Sequence, residues 1–598
     1  MKEITRIFAV LFLLAISSVS LSEEALDNIP LKPIIVTATR IRSSSISNST
    51  RSSGSDESLL LNDSLVDSRT RGPYGIQDDV SIRGASFEQT AVLLNGVRLN
   101  DPQTGHFHMD IPLTVLDVDR LDIAYGPSSG YYGSSGIGGT VNILAVPPGE
   151  DFGVKAEVET GSYDYYSGAV SMDMPLGRLK NKVSYEESRS SGYRKETEFN
   201  KRVLNVNSNF GFDRGYFDFL FGYMLKDFGA GDFYSESFDN EQESTDTRLM
   251  KLDAAYDRDD ITFMPKLYYR RHWDKFILDR NREDWSKNIH TNYVYGGELG
   301  ILCRTGLGEL VYGIDVRKEK VDSTSLEKHT RYYRAFFLEH NLSRGPLQIN
   351  TGTRLDHYSS FGAEFNPNIG LAYDLNDKWK ARASAGGAFR APSFTELYYR
   401  SSANVGNPDL EPEESWSYDL GLDFESDWAK MGLTGYLRYT DRMIDWTRSG
   451  SSGIWYAENI GEFNVYGIEA VMEVMPCKIF DLSWFKNVKV RYGYTEDFER
   501  KGITSKYVTR YLMHDFTAEI IHDIIWGFRH DLVVKFKNRR HEKPYVLLDS
   551  RLCKNIKTGN LDMEIFLEGD NLLNTDYKES GWVRMPGLQI RAGVKWGY

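Results

Sequence analysis

The sequence predicts an all-β membrane protein built on a large antiparallel transmembrane β-barrel. Segments in which apolar and polar residues alternate recur from about residue 150 to the C-terminus, and no apolar run of membrane-helix length follows residue 22. Mean hydropathy is −0.44. Aromatic residues make up 13% of the chain, including 36 Tyr and 31 Phe. These values suit a barrel wall, because only alternate residues face lipid and aromatic residues collect at both membrane interfaces.

Two segments show the alternation most clearly. Residues 216–225 place Phe217, Phe219 and Phe221 on one face. In the final segment, 588–598, apolar residues alternate with polar residues and glycines, and the chain stops at Tyr598. The edge of a two-sheet sandwich could alternate in this way, but it would not explain such strands over about 450 residues. We therefore expect one side of each strand to face lipid and the other a polar lumen.

The first 22 residues have the organisation of a secretory signal peptide. Lys2 and Arg6 precede the apolar run 7–16, and small residues follow as far as Ser22. The run is too short to span a bilayer as a helix, and the alternative interpretation is a buried N-terminal core helix. No cysteine follows the run, so a lipoprotein anchor is not indicated. We predict an exported protein with a signal peptide over residues 1–22.

Composition and motifs argue against several functions. The formal net charge of −14 argues against nucleic acid, whose phosphates require a basic surface. Cys303, Cys477 and Cys553 are too widely spaced to define a disulfide framework or a metal site. The sequence contains no GxSxG or HExxH motif and no recognisable serine–histidine pair, so an enzyme is not expected.

The N-terminal region contains three segments in a fixed order, VSIRGAS (80–86), VLLNGVRLND (92–101) and YGPSSGYYGSSGIGGTVNI (125–143). Six glycines between residues 126 and 139 let the backbone turn repeatedly, and the flanking β-branched residues favour short strands. A phosphate-binding loop is the alternative, but the stretch lacks a lysine and continues directly into a strand. The pattern predicts a small, loop-rich sheet domain.

These segments resemble the plug of TonB-dependent outer-membrane receptors. GAFRAPSFTELYY (387–399), NPDLEPEESWSYDLGLDF (407–424) and NLLNTDY (571–577) also resemble signature segments of these receptors. The resemblance implies an antiparallel barrel of about 22 strands, with the plug inside its lumen. The expected domains are a signal peptide (1–22), a periplasmic TonB box and linker (23–58), the plug (59–148) and the barrel (149–598).

The family further implies active import of a scarce nutrient across the outer membrane of a Gram-negative, diderm bacterium. Its expected partners are outer-membrane lipid, the barrel assembly machinery, which would recognise the terminal strand, and a TonB-type energy-transducing protein in the periplasm. The segment IIVTATR, just before the serine-rich stretch 43–58, resembles the TonB box and suits strand addition to that protein. Its residues are Ile34, Ile35, Val36, Thr37, Ala38, Thr39 and Arg40. The alternative is an ordinary first strand of the plug.

The segment NDPQTGHFHMDIP (100–112) is a candidate ligand-binding loop. In the family, loops at this position reach the outward apex of the plug, and two histidines at i and i+2 of an extended loop point the same way. The candidate residues are Asp101, Gln103, His106, His108, Met109 and Asp110. Together with RGPYGIQDDVSIRGASFEQT (71–90), the sequence of this segment resembles that of the cobalamin branch of these receptors. The alternatives are solvated loop histidines, a receptor for a ferric siderophore or other metal chelate, and a passive porin, which would lack plug and TonB box.

The segment 226–246 resembles a loop region of the cobalamin branch in which acidic residues can hold calcium. Carboxylates supply the oxygen ligands that calcium prefers, although no EF-hand spacing is present. The candidate ligands are Asp232, Asp239, Glu241, Glu243 and Asp246. The alternative is a solvated acidic loop, and no cofactor is expected to be required.

Overall fold

The computed structural model describes residues 65–598 apart from 235–237, 449–452, 481, 499–504, 509 and 582. The predicted signal peptide, the TonB box Ile34–Arg40 and the linker lie outside the described residues. Among the described residues, none of the helices has the length and apolar character needed to cross a membrane.

The N-terminal part folds into two small sheets. Strands β1 (Val66–Thr70) and β2 (Asp78–Ile82) pair antiparallel. A second sheet contains β3 (Thr90–Leu94), β4 (Val97–Arg98), β5 (Val118–Tyr125) and β6 (Gly139–Ala145) in the order β4–β3–β6–β5. Short 3-10 turns at Phe87–Gln89 and Gly105–Phe107 and the helix α1 (Ser129–Tyr132) connect them. This is the small, loop-rich sheet domain that the glycine-rich segments predict.

Within the described part of the chain, 22 antiparallel strands close into a barrel, which confirms the predicted fold class. The barrel closes where β31 (Gln589–Gly597) pairs with β7 (Gly153–Gly161). In chain order the strands after the plug are β7 (Gly153–Gly161), β8 (Tyr165–Leu176), β9 (Leu179–Ser190), β10 (Phe199–Phe212), β11 (Gly215–Gly229), β12 (Gln242–Arg258), β13 (Ile261–Ile277), β14 (Lys287–Thr305), β15 (Gly308–Ser323), β16 (Glu327–Arg344), β17 (Leu347–Tyr358), β18 (Gly362–Asp374), β19 (Trp379–Arg390), β20 (Asn404–Val405), β21 (Glu413–Glu425), β22 (Ala429–Asp441), β23 (Ile444–Thr447), β24 (Trp455–Asn459), β25 (Phe463–Val474), β26 (Phe485–Asp497), β27 (Leu512–Asp523), β28 (Arg529–Arg539), β29 (Tyr545–Thr558), β30 (Leu561–Asp570) and β31 (Gln589–Gly597).

The connections between strands differ at the two ends of the barrel. At one end, here called the short-turn end, they are mostly tight, as at 177–178 and 213–214. At the other, the long-loop end, they include 230–241, 391–412 and 442–462. The helix α2 (Glu283–Ser286), the helix α3 (Phe394–Tyr398) and the three-stranded sheet β20–β24–β23 belong to these long loops.

The period of two decides which side chains face outward. In β31, Ile590, Val594 and Trp596 are exposed on the outside of the barrel, whereas Arg591 is only 3% exposed. Tyr598 continues the outward series and is exposed as well. The alternation predicted for residues 588–598 is therefore confirmed, with apolar groups outside and charged groups inside.

The plug lies inside the barrel and shares its core with the wall. Leu220 of β11 and Leu249 of β12 pack into the same buried apolar cluster as Val92 and Ile143 of the plug sheet. Polar contacts supplement this packing, as where Ser184 of β9 donates a hydrogen bond to plug residue Asp117 across 2.7 Å. Plug and wall are thus joined by both apolar and polar contacts.

Candidate functional site

The predicted ligand loop 100–112 faces the long loops of the barrel. Helix α3 of loop 391–412 lies directly against it, because the N–H of Phe394 donates to the carbonyl of Pro102 (2.8 Å) and the N–H of Thr395 to that of Gln103 (3.1 Å). The capping box formed by Ser393 and Glu396 fixes the start of this helix. The outward end of the plug is therefore covered in part by a short helix.

The two histidines of the loop point in different directions. Residues Gly105–Phe107 form a 3-10 turn instead of the extended segment expected from the sequence. A 3-10 turn rotates successive side chains by about 120°, so residues i and i+2 do not share a face. Consequently, His106 turns towards Asp79, while His108 turns towards Asn100.

Most of the predicted ligand residues are buried and bonded to other residues of the protein. His108 is 2% exposed, with its Nδ1 2.9 Å from Asn100 Nδ2, and burial, reinforced by nearby Arg98 and Arg270, lowers its pKa to about 3. Met109 belongs to the apolar core. The polar members are bound by the barrel wall: Asp101 by Arg270, Gln103 by Asn292 and Asp110 by Lys226.

His106 is the most exposed of the predicted ligand residues, with 11% of its side chain exposed. Its Nδ1 lies 2.9 Å from Asp79 Oδ1, and Arg71 contacts the same carboxylate at 2.6 Å. Burial lowers the pKa of His106 more than the neighbouring Asp79 raises it. Burial would raise the pKa of Asp79, but Arg71 and His106 hold it below its usual range. The imidazole is thus neutral at pH 7, beside an ionised carboxylate.

Three aromatic rings surround His106, and with it they form what we call the His106 cluster. Its ring lies 4.6 Å from Phe87, 5.9 Å from Tyr234 and 6.2 Å from Tyr507, between ring centroids. Phe87 comes from the plug, whereas Tyr234 and Tyr507 come from the loops 230–241 and 498–511. The cluster therefore forms where the plug meets two separate long loops.

Hydrogen bonds hold the two loop tyrosines in place. The hydroxyl of Tyr234 donates to Glu243 at the start of β12 (2.9 Å) and accepts from plug residue Gln77 (2.5 Å). The carboxylate of Asp445 in β23 accepts from the backbone N–H groups of Tyr507 (3.2 Å) and Val508 (3.0 Å). The Tyr234 ring and the backbone at Tyr507 are consequently fixed before any ligand arrives.

Sequence reasoning missed five residues of this site. Three of them, Arg71, Asp79 and Phe87, lie in the segment 71–90. The sequence of this segment indicated the family but did not indicate a binding site. Tyr234 lies within the segment 226–246, in which only calcium ligands were predicted. Nothing in the sequence pattern around Tyr507 indicates a contact with the plug, since that contact depends on where a distant loop folds over the lumen.

The structure divides the predicted calcium ligands. Glu241 accepts a hydrogen bond from the N–H of Tyr234 (3.1 Å), and Glu243 faces the lumen. Asp246 lies an odd number of residues from both, so it faces outward, where it pairs with Arg248 and Arg271. Asp232 pairs with Arg194 and Asp239 with Lys195. Among the residues that the structure describes, no group of three or more His, Cys, Asp and Glu is placed to share a metal ion, and calcium binding stays a prediction.

Comparison with known proteins gives two family models that match the chain. The model "TonB dependent receptor-like, beta-barrel" matches residues 150–519, and "TonB-dependent Receptor Plug Domain" matches residues 32–140. Among curated relatives, the "Vitamin B12 transporter BtuB" of Photobacterium profundum is 28% identical over 432 residues, 67% of each chain. The protein of the same name from Vibrio vulnificus is 24% identical over 439 residues, 68% of this chain and 67% of the relative.

Solved structures share the fold at low sequence identity. The siderophore receptor PirA from Pseudomonas aeruginosa superimposes with a TM-score of 0.71 at 18% identity, over 92% of this chain and 97% of its own. The FrpB iron transporter from Neisseria meningitidis gives 0.75 at 12% identity over the same shares. At these identities the likeness concerns the fold alone.

Proposed function

The chain belongs to the TonB-dependent receptor family, and from this premise we propose that it imports a corrinoid of the cobalamin type across the outer membrane. The His106 cluster carries the proposal, since it places three aromatic rings and a neutral imidazole where the plug meets the long loops. A corrinoid is a large flattened ring with amide side chains, and such ligands suit rigid aromatic surfaces with a few placed polar groups. The curated relatives named above support the same ligand class.

The charge of the long-loop end, through which the ligand would enter, also favours a corrinoid over a strongly anionic ferric complex. The segments that connect strands at the long-loop end contain more Asp and Glu than Lys and Arg. A surface of one sign repels a ligand of that sign and slows its association. A corrinoid, which carries little net charge, avoids this repulsion.

Release of the ligand would use the connection between the first plug strand and the site. Strand β1 ends at Thr70, directly before Arg71, whose guanidinium contacts Asp79 and lies 3.3 Å from His106 Nδ1. We propose that a TonB-type protein binds Ile34–Arg40 from the periplasm and draws β1 away from β2. Arg71 then separates from Asp79, and His106 loses the ion pair that holds its carboxylate partner in place.

Titration of the purified receptor with cyanocobalamin and a panel of ferric siderophores tests the ligand. Saturable binding of cyanocobalamin is expected, weakened about 5- to 100-fold by His106→Ala, which removes a hydrogen bond and a ring contact. His340→Ala is the matched control, because His340 lies near the short-turn end beside Leu307. Tight binding of a ferric siderophore, without saturable corrinoid binding, would contradict the corrinoid and leave the receptor assignment standing.

The coupling is tested separately with Val36→Pro. Proline lacks the main-chain donor that strand addition requires, so uptake is expected to stop while ligand binding stays within a few fold of wild type. Ser47→Pro in the serine-rich stretch is the control and should transport normally. Normal uptake by Val36→Pro would remove the TonB box assignment.

A further inference from the structure

The outward wall of β12–β16 carries a group of positive charges near the long-loop end. Four cations form this group, which we call the cationic row: Arg248 in β12, Arg271 in β13, and Lys318 and Lys320 in β15. They face away from the lumen, since Lys318 is exposed and alternates with buried Arg317 and Glu319.

Strand register makes the row continuous. Arg248 lies opposite Arg271, Arg271 lies opposite Tyr293, and Tyr293 lies opposite Lys320. One step nearer the short-turn end, Tyr295 lies opposite Lys318. Directly opposite residues on one sheet face are within reach of one another, so the four cations act on a common surface.

The position of the row corresponds to the edge of the apolar belt. Towards the short-turn end, the outward faces of the same strands continue mostly with exposed aliphatic and aromatic residues: Leu252, Leu267, Ile314, Val316 and Phe336. Exposed Arg334 of β16, opposite Val316, is an exception. Tyr269, Tyr295 and Tyr332 lie between these residues and the cations. This order of aliphatic, tyrosine and cationic side chains is what a strand presents where it passes from the hydrocarbon into the headgroup region.

The local contacts leave the row with an excess of positive charge. The carboxylate of Asp246 accepts two hydrogen bonds from Arg248 (3.0 and 2.8 Å) and one from Arg271 (3.1 Å). It thereby orients two guanidinium groups but can balance only one of them. The lysines lie against aromatic rings, with Lys320 Nζ 5.4 Å from the ring centroid of Tyr293 and Lys318 Nζ 5.5 Å from that of Tyr332.

We propose that the cationic row binds the phosphate groups of a phosphorylated glycolipid in the outer leaflet. Guanidinium and ammonium groups at the headgroup level bind phosphate, and long connections mark the outer side of such barrels. From β12 to β15 the row spans three inter-strand spacings, about 14 Å. That length suits a headgroup with two separated phosphates. The inference rests on the proposed outer-membrane placement and does not depend on which nutrient is imported.

Binding of diphosphoryl lipid A to the full-length receptor in non-ionic detergent tests the proposal. The variant R248Q/R271Q/K318Q/K320Q should bind the lipid at least 10-fold more weakly and keep the thermal unfolding midpoint of the wild type. The control K430Q/K486Q/K554Q/K557Q removes four cations from the short-turn end and should bind the lipid like wild type. Equal lipid binding by the row variant, equal loss in the control, or equal binding of phosphatidylglycerol or inorganic phosphate by wild type would overturn the proposal.

A single substitution gives an independent result if the fourfold variant fails to fold. Asp246→Asn removes the carboxylate that competes with lipid phosphate for Arg248 and Arg271. Affinity for diphosphoryl lipid A should then rise about two- to fivefold. Unchanged or weaker binding would count against the row as the phosphate site.

Discussion

The guanidinium of Arg390 donates a hydrogen bond to Glu413 across 2.8 Å, and the second oxygen of Glu413 accepts one from plug residue Gln89 (2.7 Å). Arg390 also binds both oxygens of Glu396 in α3, at 2.8 and 3.0 Å. One buried side chain at the end of β19 thus joins the wall, the helix over the ligand loop and the plug. This gives a physical reason for the arginine of the segment GAFRAPSFTELYY.

Arg390→Ala should loosen the helix that covers the plug. Removal of the guanidinium leaves Glu396 and Glu413 buried without their main cation, and breaking a buried ion pair costs about 3–5 kcal/mol. We expect a lower thermal unfolding midpoint and faster chymotrypsin cleavage at Tyr398 and Tyr399. Arg400→Ala, at an exposed position of the same loop, should match wild type in both assays. Unchanged cleavage in Arg390→Ala would show that α3 is held by other contacts.

His108→Ala should affect stability and not ligand affinity. His108 is buried and lies 2.9 Å from Asn100 Nδ2, so its loss removes one hydrogen bond, worth about 0.5–1.5 kcal/mol, and leaves a cavity in the plug. The thermal midpoint should fall, while corrinoid affinity stays within about threefold of wild type. An affinity loss as large as that of His106→Ala would instead place both histidines at the ligand.

Asp67→Asn should free the first plug strand. Both oxygens of Asp67 bind Arg539 of β28, at 2.5 and 2.6 Å, and Arg539 keeps Glu579 as a second partner (2.8 Å). Loss of the charge–charge contact should speed amide hydrogen exchange over Val66–Thr70 about 5- to 100-fold, with barrel strands unchanged. Asp119→Asn is the control, since Asp119 pairs locally with Arg120. Equal exchange in wild type and Asp67→Asn would remove the proposed role of Arg539.

Glu88 should make the ligand loop sensitive to alkaline pH. Burial, and then the nearby Glu396, raise the pKa of Glu88 to about 8, and its carboxyl accepts a hydrogen bond from the N–H of Gly105 (2.7 Å). Because the pKa of Glu88 is higher in the folded than in the unfolded protein, protonated Glu88 stabilises the fold. This stabilisation is complete below the unfolded-state pKa near 4.3 and is lost as pH rises through 8. The protection factors of the Gly105–Phe107 amides, which are their exchange rates referred to the intrinsic rate at each pH, should fall as pH rises from about 4.3 to about 8. Glu88→Gln should flatten this profile, whereas exposed Glu411→Gln should not.

The sequence allowed the barrel and the plug to be predicted because both depend on local pattern. The period of two in β31 indicates which side chains of that strand face lipid, and the glycines before β6 indicate tight turns at their own positions. The ligand site did not follow in the same way. His106 could be named from its loop, but its partner Tyr507 lies about 400 residues further along the chain. Likewise, the outward position of Asp246 required the exact start of β12, since a shift of one residue reverses the face.

The direction of pairing in β1 and β2 also determines how the plug responds to mechanical force. Val66 lies opposite Ile82, so tension applied at residue 65 opens the hairpin like a zipper, one residue pair at a time. The parallel pair β3–β6 would have to slide as a unit along its length. A single-molecule pulling experiment from the N-terminus should therefore show a weak first rupture of about the length of residues 65–82, with the remaining plug still seated. The energy-transducing stroke then needs only to exceed this first, weaker threshold to disturb Arg71.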